Sequence, residues 1–164
     1  MSDRDAAFEA YFAARSDAMR ATAYLLCGDW HRAEDLVQQT FTKLYLAWRR
    51  IKRHDALDNY TRQTLVRTFL SDRRRGWFRY ESVGSEQTER ATAPAGLADD
   101  RLMLLDALAK VPPRQRAVLV LRYWEDVSVE QTAALLECSA GNVKSQASRG
   151  LATLRGLLEE ERVR

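Results

Sequence analysis

Residues 128–158 read SVEQTAALLECSAGNVKSQASRGLATLRGLL, and the fold is decided there. Ser128-Val129-Glu130-Gln131 has the capping-box pattern, a hydroxyl residue followed three positions later by Gln, which predicts a short helix through Leu136. Glu137-Cys138-Ser139 interrupts it, and Ser139 can cap a last helix whose inner face reads Val143, Ala147, Leu151, Leu154 and Leu158. A short helix, a three-residue turn and a longer helix make the spacing of a helix-turn-helix. With that inner face packed, Asn142, Lys144, Ser145, Ser148 and Arg149 fall on exposed turns near the N-terminal half of the last helix. These residue types address base edges and phosphates in the major groove. A polar helix face standing alone is commonly just a solvated surface; the capped helix and tight turn before this one favour DNA contact.

Upstream, the same three- and four-residue recurrence of apolar residues continues, and the chain holds only 7 Gly and 3 Pro, so an all-α protein is predicted. A first helix is expected from about Asp5 to Cys27, stopped by Gly28, and Asp29 caps a second from Trp30 to about Lys52. The second has the strongest stripe: Ala33, Leu36, Val37, Phe41, Leu44, Tyr45, Trp48 and Ile51. A third is expected from near Ala56 to Gly76, with Asp55 as its cap. Residues 81–100 lack a stripe and are rich in Ser, Thr, Ala, Gly and acid, the composition of a linker. Two small helical domains follow: an N-terminal bundle over 1–78, a flexible acidic linker over 79–100, and a C-terminal helix-turn-helix domain over 101–164. Trp30, Trp48 and Trp124 sit near the stripes and are expected in the core, whereas Trp77-Phe78-Arg79-Tyr80 could stack on unpaired bases or pack back on the first domain.

At 164 residues the chain has no room for a large catalytic architecture, and no apolar run approaches the ~18 residues of a membrane span. It starts without a basic-then-apolar stretch, so a cytoplasmic location and no membrane insertion are expected. Cys27, Cys138 and two histidines are too few for a disulfide framework or a four-ligand zinc site, and no metal or cofactor is expected. The net charge of +3 hides an uneven distribution: residues 43–75 carry 10 basic and 3 acidic side chains, and residues 77–100 carry 2 basic and 5 acidic ones. The first of these stretches creates a positive field suited to phosphate.

Five stretches then resemble one family. Ala33-Glu34-Asp35-Leu36-Val37-Gln38-Gln39-Thr40-Phe41 looks like the N-terminal-domain helix of the extracytoplasmic-function (ECF) sigma factors, the bacterial RNA polymerase subunits that supply promoter specificity. Pro112-Pro113-Arg114-Gln115-Arg116, Leu121-Arg122-Tyr123-Trp124-Glu125-Asp126 and Val143-Lys144-Ser145-Gln146-Ala147-Ser148-Arg149 resemble the family's C-terminal domain, in the family's order. The chain's length and Val66-Arg67-Thr68-Phe69-Leu70-Ser71-Asp72-Arg73-Arg74-Arg75 are similar to the actinobacterial SigE-type subgroup. The resemblance implies no enzymatic activity but promoter recognition, DNA melting and initiation. The partners it implies are core polymerase, through the β′ clamp helices and β flap, promoter DNA, and an anti-sigma factor.

Residue by residue, it implies that Asp35, Gln38 and Gln39 face the clamp, and that Asn142, Lys144, Ser145, Ser148 and Arg149 read the −35 element. It further implies that Arg53, His54, Asp55 and Asn59 receive a base flipped from the −10 strand, and that Arg62, Arg67, Arg73, Arg74 and Arg75 hold backbone phosphate. Two positions depart from the pattern: Thr68 stands where Asn is usual, and Glu137 occupies a turn position where Gly is usual, at a cost of about 1 kcal/mol if its φ is positive. A free-standing helix-turn-helix regulator would explain 112–158 but leave 33–41 without a purpose. A small metal protein would have to use Cys27, His31 and His54.

Overall fold

The computed structural model describes residues 2–51, 56–82 and 97–163. Every regular element among them is helical. The N-terminal unit comprises α1 (Asp3–Cys27), α2 (Trp30–Ala47) with a 3₁₀ turn at Trp48–Arg50, and α3 (Leu57–Ser82). The C-terminal unit comprises α4 (Leu97–Lys110), α5 (Pro113–Leu119) continuing into a π-helical turn at Val120–Trp124, α6 (Val129–Leu136) and α7 (Ala140–Val163).

Local chemistry sets the boundaries. The Asp5 N–H donates to the Ser2 hydroxyl at 3.2 Å at the start of α1. Gly28 ends that helix at φ 74°, its N–H on the Tyr24 carbonyl, a left-handed backbone that glycine adopts without a Cβ clash. The Asp29 carboxylate then accepts from the N–H groups of His31 at 2.7 Å and Arg32 at 3.4 Å, capping α2. Ser128 and Ser139 accept from Gln131 and Asn142 in the same way and open α6 and α7. Pro113 sits at the first position of α5, where its missing N–H costs no helical bond.

The α2 stripe is the keel of the N-terminal unit: Leu36, Val37, Phe41 and Leu44 are buried against α1 and α3. Rings from α1 close over it, with Phe12 edge-on to Phe41 at 4.7 Å and Phe8 edge-on to Trp48 at 5.4 Å. In the C-terminal unit Val143 is fully buried, and α7 crosses α5 so closely that a Cβ on Gly150 would lie 3.0 Å from Leu119 Cδ1.

Several expectations need correction. The third helix passes Gly76 and runs to Ser82, because a single helix-interior glycine costs only about 1 kcal/mol, too little to end a long helix. Helix α4 begins at Leu97, so both ends of the predicted 79–100 linker are helical. Trp30 and Trp124 are not core residues: they are 45% and 58% exposed. Trp30 stacks on Tyr24 at 4.0 Å, and the Trp124 indole donates to the Thr22 hydroxyl at 3.2 Å. The expected His54 and Asp55 positions, with Arg53, lie outside the described residues, as do the side chains of Trp77, Phe78, Arg79 and Tyr80.

The two units also pack on each other. Helix α1 meets α4, α5 and the π turn, α3 meets α5 and α6, and one apolar cluster runs continuously from Met19 and Phe69 to Val118 and Val143.

Candidate nucleic-acid interface

The helix-turn-helix forms from the local signals that announced it. Val143 anchors α7 inward, leaving Asn142, Lys144, Ser145, Ser148 and Arg149 exposed together on its N-terminal half. The turn before α7 holds Glu137 at φ 56°, ψ 48°, the left-handed conformation of the glycine usual there, so the turn keeps its geometry and Glu137 bears the strain. Lys144 and Ser148 border a hollow they share with Arg122 and Tyr123, of which Tyr123 is 61% exposed. The Arg122 guanidinium donates to the Val127 carbonyl at 2.5 Å, which fixes its stem beside the recognition helix.

A second polar groove lies between α2 and α3. Lys43, Leu46 and Arg50 enter it from α2 and its 3₁₀ extension, and Tyr60, Thr64, Arg67 and Thr68 from α3. Lys43 and Arg50 were not predicted as site residues, although Lys43, Leu46, Ala47 and Arg50 recur at the three-, four- and seven-residue spacing of one helix face. Thr68, the departure from the family pattern, is buried and accepts from the Lys43 ammonium at 2.9 Å. Its hydroxyl therefore orients a cation at the groove it helps to line. Leu46 is 72% exposed beside it, an apolar body of the kind that can lie against an unstacked base.

The remaining arginines scatter. Arg74 and Arg75 are exposed, as is Asn59. Arg73 turns away from the groove and lines a separate hollow with Cys27, Arg32, Asp35, Gln39 and Asp72. Arg62 and Arg67 face the C-terminal unit: Arg62 pairs with Glu125 at 3.2 Å, and Arg67 with Glu137 at 3.2 Å and the Leu135 carbonyl at 3.0 Å. The predicted docking edge, Asp35, Gln38 and Gln39, is exposed on α2, and the Gln39 amide donates to Asp72 at 3.0 Å.

Electrostatics separate surface from interior. Burial pushes the Cys27 thiol up to about 12, against the pull of Arg116, Arg73 and Arg32, so it is a protonated, inert side chain at neutral pH. Burial, reinforced by Arg73, brings the Arg116 guanidinium down to about 10, where it still carries its charge at neutral pH. Among the described residues no three His, Cys, Asp or Glu side chains gather at metal-ligand range. No helix among them is long and apolar enough to cross a membrane.

An exposed polar helix face on one unit and a cationic, partly apolar groove on the other mark a helical protein with two candidate binding surfaces. Residues 4–79 match the Sigma-70 region 2 model, and residues 101–154 match Sigma-70, region 4. The chain is 39% identical over 157 residues to the RNA polymerase sigma-E factor of Streptomyces avermitilis, spanning 93% of this chain and 85% of that one. It is 38% identical over 153 residues to the sigma-E factor of Streptomyces coelicolor, 90% of this chain and 84% of that one. Among solved structures it resembles the sigma factor RpoE of Bartonella quintana, crystallised with the anti-sigma factor NepR, with TM-score 0.74, 29% identity, and 93% and 96% of the two chains covered. The chain belongs to the sigma-70 family of RNA polymerase sigma factors, in its extracytoplasmic-function group.

Proposed function

We propose a division of labour for this sigma factor in which α2 docks core polymerase, the α2–α3 groove holds the opened −10 strand, and α7 reads the −35 element. The single observation that carries the reading is the exposure of Asn142, Lys144, Ser145, Ser148 and Arg149 on one half-helix, held by a capped, tightly turned α6. The residues of the groove suit a single strand: Lys43, Arg50 and Arg67 attract phosphate, while Tyr60 and Leu46 offer surfaces for bases. Arg74 and Arg75 extend the cationic surface along α3, and Asn59 is exposed near the start of that helix, while the role of Arg53, His54 and Asp55 in receiving a flipped base rests on the family resemblance. Asp35, Gln38 and Gln39 supply a polar edge for the β′ clamp helices, with Arg73 beside them in the adjoining hollow, and the C-terminal domain meets the β flap.

The protein acts without chemistry of its own, in the cytoplasm where polymerase works. An anti-sigma factor is a further partner, since the structurally similar RpoE was crystallised with one. Transcription reconstituted from purified core polymerase on fragmented genomic DNA, with 5′ ends sequenced, tests the reading: start sites preceded by two common elements at fixed spacing are expected. Random start sites, or none, would refute it.

A further inference from the structure

Lys43 is one of three cations that draw a strand into the α2–α3 groove, and its head is tethered to the groove's own wall. The side chain leaves the exposed face of α2, and its ammonium donates at 2.9 Å to the hydroxyl of Thr68, which is only 3% exposed on α3. A lysine head is ordinarily a strongly hydrated point charge on a flexible stem, suited to phosphate wherever it lies. Held through one of its three N–H donors, this head keeps two donors for a ligand at a fixed place in the groove. Leu46 follows three residues on along the same face, about 4.5 Å further along the axis, and is largely exposed. Arg50 comes next, in the 3₁₀ extension of the helix. A fixed donor pair, an apolar surface and a guanidinium therefore stand in a row along one wall, and they suit the edge, the ring and the phosphate of an unstacked nucleotide.

We propose that Lys43 reads the edge of one unpaired base in this groove, guanine being the base it favours, and that Thr68 is the positioning residue that makes it a reader. This rests on the reading of the groove as the seat of the opened −10 strand. The two remaining donors of the ammonium match neighbouring acceptors, and guanine presents O6 and N7 side by side. Adenine carries its N6 amino group where guanine has O6, so a donor fixed there faces another donor. Phosphate contacts make no such distinction, because every nucleotide carries the same phosphate. The tether separates the two roles: an untethered ammonium follows the nearest phosphate, whereas a fixed one is satisfied only by a base with the right edge. Thr68 thereby influences sequence choice through Lys43, although its own side chain is buried.

Holoenzyme assembled with the full-length chain tests this on pre-opened duplexes whose unpaired −10 segment is randomised in the non-template strand, with the bound fraction sequenced at several salt concentrations. Thr68→Val removes the hydroxyl but keeps the side-chain shape and the charge of Lys43. It is expected to cut the preference for guanine at one position about five- to tenfold while the salt slope stays unchanged. Thr68→Ser, which keeps a hydroxyl, should retain the preference, and Lys43→Ala should abolish it. Lys43 is exposed, so its replacement tests the reader even where Thr68→Val disturbs packing. A wild-type holoenzyme with no guanine preference in the segment overturns the proposal, and so does a folded Thr68→Val chain that keeps the wild-type preference. A Lys43→Ala variant that weakens all sequences alike and lowers the salt slope, with the preference intact, makes Lys43 a phosphate contact and also overturns it. These outcomes leave the groove as the seat of the strand. Lys43→Ala and Arg50→Ala holoenzymes that bind every pre-opened duplex as the wild type does would instead refute that underlying reading.

Discussion

The Arg116 guanidinium, carried by α5 of the C-terminal unit, donates to the carbonyl of Leu26 in the last turn of α1 at 2.6 Å. The same side chain donates to Ala109 and Val111 at 2.7 Å each, and its cationic carbon lies 5.9 Å from the Phe69 ring centroid on α3. One residue thereby satisfies the open ends of two helices in different domains, where carbonyls have no helical partners. A guanidinium suits the task because its planar fork presents five donors, whereas an ammonium offers three from a single point.

Arg116→Ala is expected to leave those buried carbonyls unsatisfied and to destabilise the folded chain by about 3 kcal/mol. It should also split one unfolding transition into two, because the staple couples the units. Urea denaturation followed by circular dichroism and by tryptophan fluorescence checks both effects. Arg116→Lys should recover only part of the loss. Coincident, unshifted transitions in Arg116→Ala would show that the apolar cluster alone couples the domains.

Gly150 makes a separate demand on the crossing of α5 and α7. An added Cβ would meet Leu119 at 3.0 Å and 3.1 Å and the Gln115 Cβ at 3.4 Å. Helix propensity favours alanine over glycine by about 1 kcal/mol, while overpacking a tight contact costs about 1–3 kcal/mol. The steric term should win, so Gly150→Ala is expected to lower thermal stability and tilt the recognition helix. Gly156, whose Cβ would meet nothing within 4 Å, supplies the control: Gly156→Ala should be stabilising. Calorimetry on the two variants compares them directly.

The caps, the helix-turn-helix and the α2 stripe were legible because each depends on residues within a few positions of one another. Asp29, Ser128 and Ser139 cap as their spacing implied, and of the two outcomes left open for Glu137 the structure shows the left-handed one. What the sequence did not disclose depends on long-range partners. Arg116 entered only as part of a family motif with no role assigned to it, yet it is fully buried between domains. Trp124 fits an inward stripe, but its indole reaches out to Thr22 on the other unit. Lys43 and Arg50 lay within the basic stretch without standing out, because the groove they enter exists only once α3 packs beside α2. Arg73 was grouped with Arg74 and Arg75 through the family resemblance, but successive helix residues point about 100° apart, and it lines a different hollow.

Cys27 offers a pH-dependent test. Its thiol is held near 12 in the folded chain against an ordinary value of 9.0, with burial as the main cause. The unfolded chain therefore releases this proton first, and the stabilisation from the protonated thiol is complete below about pH 9 and lost as pH rises towards 12. Between pH 7 and 9 the native thiol, half-buried and held protonated, should react with iodoacetamide far more slowly than in the urea-unfolded chain. Mass spectrometry after pulsed alkylation, with and without urea, checks this. Rapid labelling of native Cys27 at pH 8 would show that the site is open to solvent.

The recognition helix allows base reading and phosphate positioning to be separated. Lys144 and Arg149 are both exposed on α7 and lie five residues apart, a turn of about 500°, so their side chains diverge by about 140° and cannot address the same base pair. Lys144 stands one turn inside the helix N-terminus, beside Arg122 and Tyr123 in a shared hollow, the end that enters a major groove in a helix-turn-helix. Arg149 lies further along, where a helix inserted by its N-terminus would leave the groove and meet backbone. Lys144→Ala should therefore relax the preference at one −35 position by about 1–3 kcal/mol, whereas Arg149→Ala should weaken all sequences alike and reduce the salt slope by about one. Holoenzyme binding to a library of randomised −35 elements at several salt concentrations measures both. A changed preference in Arg149→Ala with none in Lys144→Ala would reverse the two roles, and unaltered binding in both would remove α7 from promoter recognition.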